Sequence, residues 1–171
     1  MAKISMPFRI MAAMLDCHLV ELNYRIKEDC TVRFLDYSNR DAMRMYKRGL
    51  SFVLIKAAKK IFPRNDLIIR YSVSDGLYCS FPEGTPVVSQ KDLERLRSEM
   101  KYIIDSKIQF VRKEVSIEEA IELFEKRKMY DKVRFFKYLN KETTPIYYIG
   151  NTVNHFYGYL PPDTGFVDIF E

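Results

Sequence analysis

Residues 38–81 switch hydrophobic period partway, and this restricts the fold more than any other feature of the sequence. From Ser38 to Phe62, the apolar residues Met43, Tyr46, Leu50, Val53, Ala57 and Ile61 recur at steps of three and four. That spacing predicts an amphipathic helix with one buried stripe. Ser38-x-x-Asp41 reads as its capping box, and Pro63 stops it. The period then drops to two. LIIRYSV and LYCSF flank Ser74-Asp75-Gly76, which predicts a β-hairpin with aspartate and glycine where positive φ is needed.

The same grammar continues downstream. Ser89-x-x-Asp92 caps a second helix with Leu93, Leu96, Met100, Ile103 and Ile104 inside. A basic strand, KIQFVRKEV, follows. Ser116-x-x-Glu119 then opens SIEEAIELFEKRK, a helix with acids early and bases late, as the helix dipole favours. RFFKYL, PIYYIG, VNHFYGYL and GFVDIF read as β-like and aromatic. Upstream, CHLVEL and CTVRFLD are short strand signals in a segment too small to hold its own core. Intermixed helices and short strands define an α+β class with an antiparallel sheet and packed helices.

Composition excludes several alternatives. With 47% hydrophobic and 14% aromatic residues the chain is not a disordered one. It has no run of roughly 18 apolar residues, so no membrane span or membrane partner is expected, and Pro7 and Asp16 break the N-terminal apolar stretch as a secretory signal. A cytoplasmic location is the expectation. The three cysteines, Cys17, Cys30 and Cys79, show no paired spacing and read as reduced, mostly buried thiols. Two distant histidines, His18 and His155, cannot supply a three-histidine zinc site, so no metal is expected. The oligomeric state is left open.

Charge is uneven. Between Arg44 and Arg64 lie seven Lys or Arg residues and no Asp or Glu. Two readings stand side by side: a solvated helix face, or a footprint for the phosphates of a nucleotide or RNA, with Arg44, Lys47, Lys59 and Lys60 toward them. Arg48, Phe52, Lys56 and Lys59 share an outward face at spacings of four, four and three. Arginine offers a fork for phosphate or carboxylate, and phenylalanine a surface on which a base stacks.

The order of these motifs resembles the N-terminal region of threonyl-tRNA synthetase, where a TGS domain leads into the editing domain. The residues that carry the likeness are the helix RGLSFVLIKAAKKIFP, the hairpin YSVSDGLYCSF, the stretch around EEAIELFEKRK and the end GYLPPDTG. They are closer still to the version of this region found ahead of a P-loop kinase in bacterial uridine-kinase-like proteins. The resemblance implies a partial TGS-like (β-grasp) remnant over residues 1–38. Over 39–171 it implies an α+β domain like the editing domain of threonyl- and alanyl-tRNA synthetases. It also implies a missing kinase domain as partner, beginning after residue 171, with ATP and Mg belonging to that domain and no cofactor here.

The departures define the chemistry. Aligned on Phe62-Pro63, the two histidines of the editing helix fall at Arg48 and Phe52. Aligned on Gly158 and Pro162, the family's cysteine and histidine fall at Phe156 and Leu160. None of these residues holds a metal or moves protons near neutral pH. No catalytic residue is therefore expected. The glycines, Gly49, Gly76, Gly84, Gly150, Gly158 and Gly165, do not form a P-loop spacing. A former cleft formed by Arg48, Phe52, Lys56, His155, Phe156 and Tyr157 is the candidate binding site, some of its aromatics facing Phe52. Three functions follow, in this order: an accessory or regulatory domain of a uridine-kinase-like nucleoside kinase, an RNA- or nucleotide-binding module derived from an editing domain, and an aminoacyl-tRNA deacylase.

Overall fold

A computed structural model describes residues 8–74, 76–83 and 87–170. The chain packs as two compact units: residues 1–109 with 159–171, and the intervening Phe110–Gly158. The fold is α+β, and every sheet is antiparallel.

In the first unit, β1 (Ile10–Leu15), β2 (His18–Val20) and β3 (Val32–Asp36) form a sheet with β1 in the middle. Sequence patterning anticipates β2 and β3 but not β1, whose Met11, Ala12 and Ala13 are all buried and so show no alternation. Asp16 turns β1 into β2 at φ 51°, exchanging hydrogen bonds with Thr31 at 2.9 and 3.0 Å.

Helix α1 (Arg40–Ile61) follows, capped by Asn39 rather than Ser38. The Asn39 side chain accepts from the N–H groups of Asp41 and Ala42, while the Ser38 hydroxyl donates to the buried Asp36 carboxylate at 2.6 Å. Serine is drawn away because Asp36 would otherwise be a buried charge short of donors. Of the anticipated stripe, Tyr46, Val53 and Ala57 are buried, while Met43, Leu50 and Ile61 are half-buried. Ala42, Met45, Gly49 and Phe52 complete a wider buried face against β1, β3 and helix α2 (Gln90–Asp105).

The hairpin forms as β4 (Ile68–Val73) and β5 (Gly76–Ser80). Gly76 pairs with Val73 inside the ladder, and the positive φ falls on Ser74, at 52°; Asp75 lies outside the described residues. Helix α2 carries the expected capping box between Ser89 and Asp92. Its Met100, Ile103 and Ile104 are buried, but Leu93 is 48% exposed.

GFVDIF is not a strand. Thr164–Phe166 form a 3-10 turn, and residues 167–170 form no regular element. Thr164 is fully buried, donating to the Ile103 carbonyl at 2.7 Å and accepting from the Ile108 N–H at 2.9 Å. Pro161 and Val167 lie against Gly49, where a side chain would meet Pro161 Cδ at 2.9 Å. Arg9, Tyr37 and Tyr46 clasp the segment through the carbonyls of Gly165, Phe166 and Ile169. Burial pushes the Tyr46 hydroxyl up to about 12 against the hydrogen bond with Ile169, with Asp168 and Tyr37 adding to the rise.

The second unit runs β6 (Phe110–Ser116), α3 (Ile117–Lys126), α4 (Tyr130–Lys137), β7 (Thr143–Ile149) and β8 (Thr152–His155), with β7 central in its sheet. The capping box of Ser116 and Glu119 forms as expected. RFFKYL, read as β-like, is helical: Val133 and Phe136, three apart, are both buried. They join Ile117, Ala120, Phe124, Ile146 and Val153 in one core, where the rings of Phe124 and Phe136 stack at 5.5 Å. Aromatic residues have mild strand propensity, and packing overrides it here.

Candidate functional site

Helix α1 delivers the first half of the expected site. Arg48 is half-buried, and its Nη1 donates to the Tyr159 carbonyl at 3.4 Å, a long bond to the segment that precedes Leu160. Phe52, expected on an outward face, is fully buried. The helix is packed on several sides, so a side chain between Arg48 and Lys56 becomes core. Lys56 is half-buried, and burial holds its ammonium below the usual lysine range, with Glu99 opposing the shift and Lys60 adding to it.

The cations expected to face phosphate do not make one stripe. At 3.6 residues per turn, Arg44, Lys47, Lys59 and Lys60 spread over more than half of the helix circumference. Arg44 pairs with Asp41 at 3.0 Å, Lys59 with Asp66 at 2.7 Å, and Lys60 with Glu99 at 2.7 Å. Lys60 also lies over the Tyr102 ring at 5.4 Å. Lys47 is exposed. Exposed ion pairs are worth about 0–1 kcal/mol, so the Asp41 and Asp66 partners of Arg44 and Lys59 are readily exchanged for a phosphate, whereas Glu99 is half-buried.

The second unit holds the aromatic half. His155 is buried, its ring 5.1 Å from Phe136, 5.1 Å from Tyr157 and 5.4 Å from Phe135. Burial pulls its imidazole down to about 4, and the cations of Lys132 and Lys141 add to the shift. The ring is therefore neutral near pH 7 and serves as packing. Phe156 is half-buried, 6.4 Å from the Tyr147 ring, whose hydroxyl donates to the Gly158 carbonyl at 3.3 Å. Tyr157 is 58% exposed. In the first unit, Leu160, at the fourth position aligned by the resemblance, is 1% exposed.

Hydrocarbon thus fills three of the four aligned positions, Phe52, Phe156 and Leu160, and two of these, Phe52 and Leu160, are buried in the core. Among the described residues, no three His, Cys, Asp or Glu side chains converge as a metal site would require. The cysteines are free thiols, with Cys17 exposed rather than buried and Cys30 and Cys79 half-buried. Burial raises the Cys79 thiol, which makes it a poor nucleophile.

An open pocket of about 290 Å³ lies at the end of α1, lined by Phe62, Pro63, Arg64, Asn65, Val87 and Asp92. Asp92 is already committed there: its hydrogen bonds from the Ser89 hydroxyl and backbone hold its carboxyl below the usual range. One feature of the hairpin escapes sequence reading. Tyr71 and Tyr78, within the period-two pattern, are 61% and 49% exposed. Their shared register position, two tyrosines opposite one another, is the signal that could have found them.

The architecture is α+β with antiparallel sheets, and comparison of sequences gives it a kinship. The chain is similar to a portion of threonine–tRNA ligases. It is 36% identical over 109 residues to the ligase of Desulforamulus reducens, covering 64% of this chain and 17% of the ligase. It is 32% identical over 117 residues to that of Syntrophomonas wolfei, covering 68% of this chain and 18% of the ligase. With the Symbiobacterium thermophilum ligase it shares 28% identity over 162 residues, which is 94% of this chain and 25% of the ligase. The chain thus spans a quarter or less of the length of these relatives. No family model matches it. The α+β fold agrees with an editing-like domain, and the likeness as a whole is to a tRNA-synthetase region.

Proposed function

We propose that this chain is an editing-type domain that has lost hydrolysis and acts as a non-catalytic RNA-binding module. The observation that carries the reading is the occupancy of the aligned positions in a chain similar to threonine–tRNA ligases. Arg48, Phe52, Phe156 and Leu160 stand there, and Phe52 and Leu160 are sealed in the core. The scaffold is kept, while the groups that could ligate zinc or carry a proton are replaced by groups that cannot. Cations on α1, above all Lys47 and Lys59, supply attraction to phosphate. No cofactor is part of this reading, and the module works in the cytoplasm.

Binding of unacylated tRNA, followed by fluorescence anisotropy at several salt concentrations, tests it. Micromolar or tighter affinity is expected. The double change Lys47→Glu with Lys59→Glu should weaken binding, and the log–log salt slope should shrink by about 0.9 for each phosphate no longer neutralised. Affinity of only millimolar strength at physiological salt would end the proposal. Incubation with mischarged tRNA and zinc should give no deacylation.

A second reading makes the same module an accessory or regulatory part of a uridine-kinase-like nucleoside kinase. Its support is the likeness of RGLSFVLIKAA and GYLPPDTG to such proteins; the relatives named above are ligases, not kinases. On this reading the partner is the kinase domain, which would bring ATP and Mg. The gene sequence after residue 171 decides it: a Walker motif is expected there, and its absence removes the kinase.

A further inference from the structure

The hairpin β4–β5 displays an aromatic row that no part of the fold absorbs. Tyr71 and Tyr78 sit opposite each other in the register, their ring centroids 5.1 Å apart and planes inclined by 31°. Val73, two residues on and therefore on the same face, is 55% exposed. A bulge between Ile69 and Tyr71 frees Arg70 from the ladder, and its Nε donates to the Ser80 hydroxyl at 2.9 Å. Ser80 lies two residues from Tyr78, on the tyrosine face. The row therefore runs from guanidinium to tyrosine pair to valine. That one bond uses one of the five N–H donors of the guanidinium.

Exposed apolar faces of this kind commonly await another protein. Here, however, the strands IIRYSV and GLYCS hold an arginine and no Asp or Glu. The preceding segment from Arg44 to Arg64 is strongly basic, and the whole chain carries a net charge of +5. Two neighbouring phenol rings beside a cation, on a chain of net positive charge, match the recurrent platform for unpaired nucleotides: bases stack on the rings while the cation meets the backbone phosphate.

We propose that the Arg70–Tyr78–Tyr71 face of the hairpin binds single-stranded RNA. The inference rests on the RNA-binding reading above and gives it a second, base-stacking element besides the charges of α1. Unpaired RNA should be preferred over duplex, because paired bases do not offer their faces.

The test uses the full chain and a fluorescein-labelled 12-nucleotide oligouridylate, with a 12-base-pair RNA duplex beside it. The wild type should bind the single strand more tightly than the duplex. Tyr71→Ala with Tyr78→Ala should weaken oligouridylate binding by about tenfold or more. Tyr71→Phe with Tyr78→Phe keeps the rings and should bind within about threefold of wild type. Arg70→Gln should lower the salt slope by about the share of one phosphate. Should the alanine pair fail to fold, the single changes Tyr71→Ala and Tyr78→Ala with Arg70→Gln decide the matter, and binding and salt slope unchanged in all three overturn the inference.

If the folded alanine pair binds as wild type while the Lys47/Lys59 charge reversal weakens tRNA binding, the hairpin inference falls and the RNA-binding reading stands. If wild type binds neither oligouridylate nor tRNA, both fall. If the tyrosine changes abolish self-association in sedimentation and leave RNA binding untouched, a second copy of this chain is the occupant and the inference is overturned.

Discussion

Acidification should unfold this protein earlier than carboxylate titration alone requires, and His155 is the reason. Its ring sits between Phe135, Phe136 and Tyr157, and the nearby ammonium groups of Lys132 and Lys141 oppose a further positive charge. The imidazole is pulled down to about 4 in the fold, against 6.5 when exposed. The unfolded chain therefore binds the proton first. Stability is fully present above pH 6.5 and drains as pH falls toward 4. Between pH 7.5 and 5, full linkage amounts to about 2 kcal/mol, and residual solvent screening brings this nearer 1 kcal/mol.

The perturbation that isolates this group is His155→Phe, which keeps an aromatic ring and removes the titration. Urea unfolding of both proteins at pH 7.5, 6.5, 5.5 and 5 would follow it. The wild type should lose about 1–2 kcal/mol more than the variant over that range. Parallel pH profiles for the two proteins would refute the reasoning. So would an NMR titration that places His155 at or above its ordinary value.

Gly49→Ala puts a methyl group at 2.9 Å from Pro161 Cδ and 3.1 Å from Val167 Cγ1. Overpacking of about 1–3 kcal/mol should outweigh the gain of up to about 1 kcal/mol in helix propensity, so the melting temperature should fall. Thr164→Val removes a buried hydroxyl that joins Ile103 and Ile108, leaving a carbonyl and an N–H without it. Denaturant unfolding should show a loss of about 2 kcal/mol, and Thr164→Ser should recover most of it. Ser116→Ala breaks the capping box at the start of α3 and should cost about 1 kcal/mol, read as faster amide exchange in Ile117–Lys126.

Legibility of the fold tracks how local its causes are. The α1 period, the α2 and α3 capping boxes and the hairpin depend on near neighbours, and all can be read from spacing. The α1 cap escapes such reading because the Ser38 hydroxyl serves Asp36, a residue whose burial no local pattern announces. Strand β1 is hidden because Met11, Ala12 and Ala13 are all buried, which erases the alternation that marks a strand. RFFKYL falls largely in helix α4 because Val133 and Phe136 both reach the core of the second unit. The site is legible as a set of residue types and not as surfaces. Phe52 belongs to the interior because α1 is enclosed by other elements, and Lys59 and Lys60 find carboxylates that are distant in sequence or across a loop.

The clasp formed by Arg9, Tyr37 and Tyr46 has a consequence for biosynthesis. The segment it holds leaves the ribosome only after the whole of Phe110–Gly158 has been made. At roughly 5–20 residues per second, the first unit must wait several seconds with Gly49 and the end of α2 uncovered. During that interval the intervening unit, contiguous in sequence, is able to fold ahead of the unit that surrounds it in the chain. A change that weakens the clasp, such as Tyr46→Phe, therefore prolongs the vulnerable period beyond the end of synthesis as well as lowering final stability. Its effect on yield in the cell should exceed its effect on the melting temperature of the purified protein.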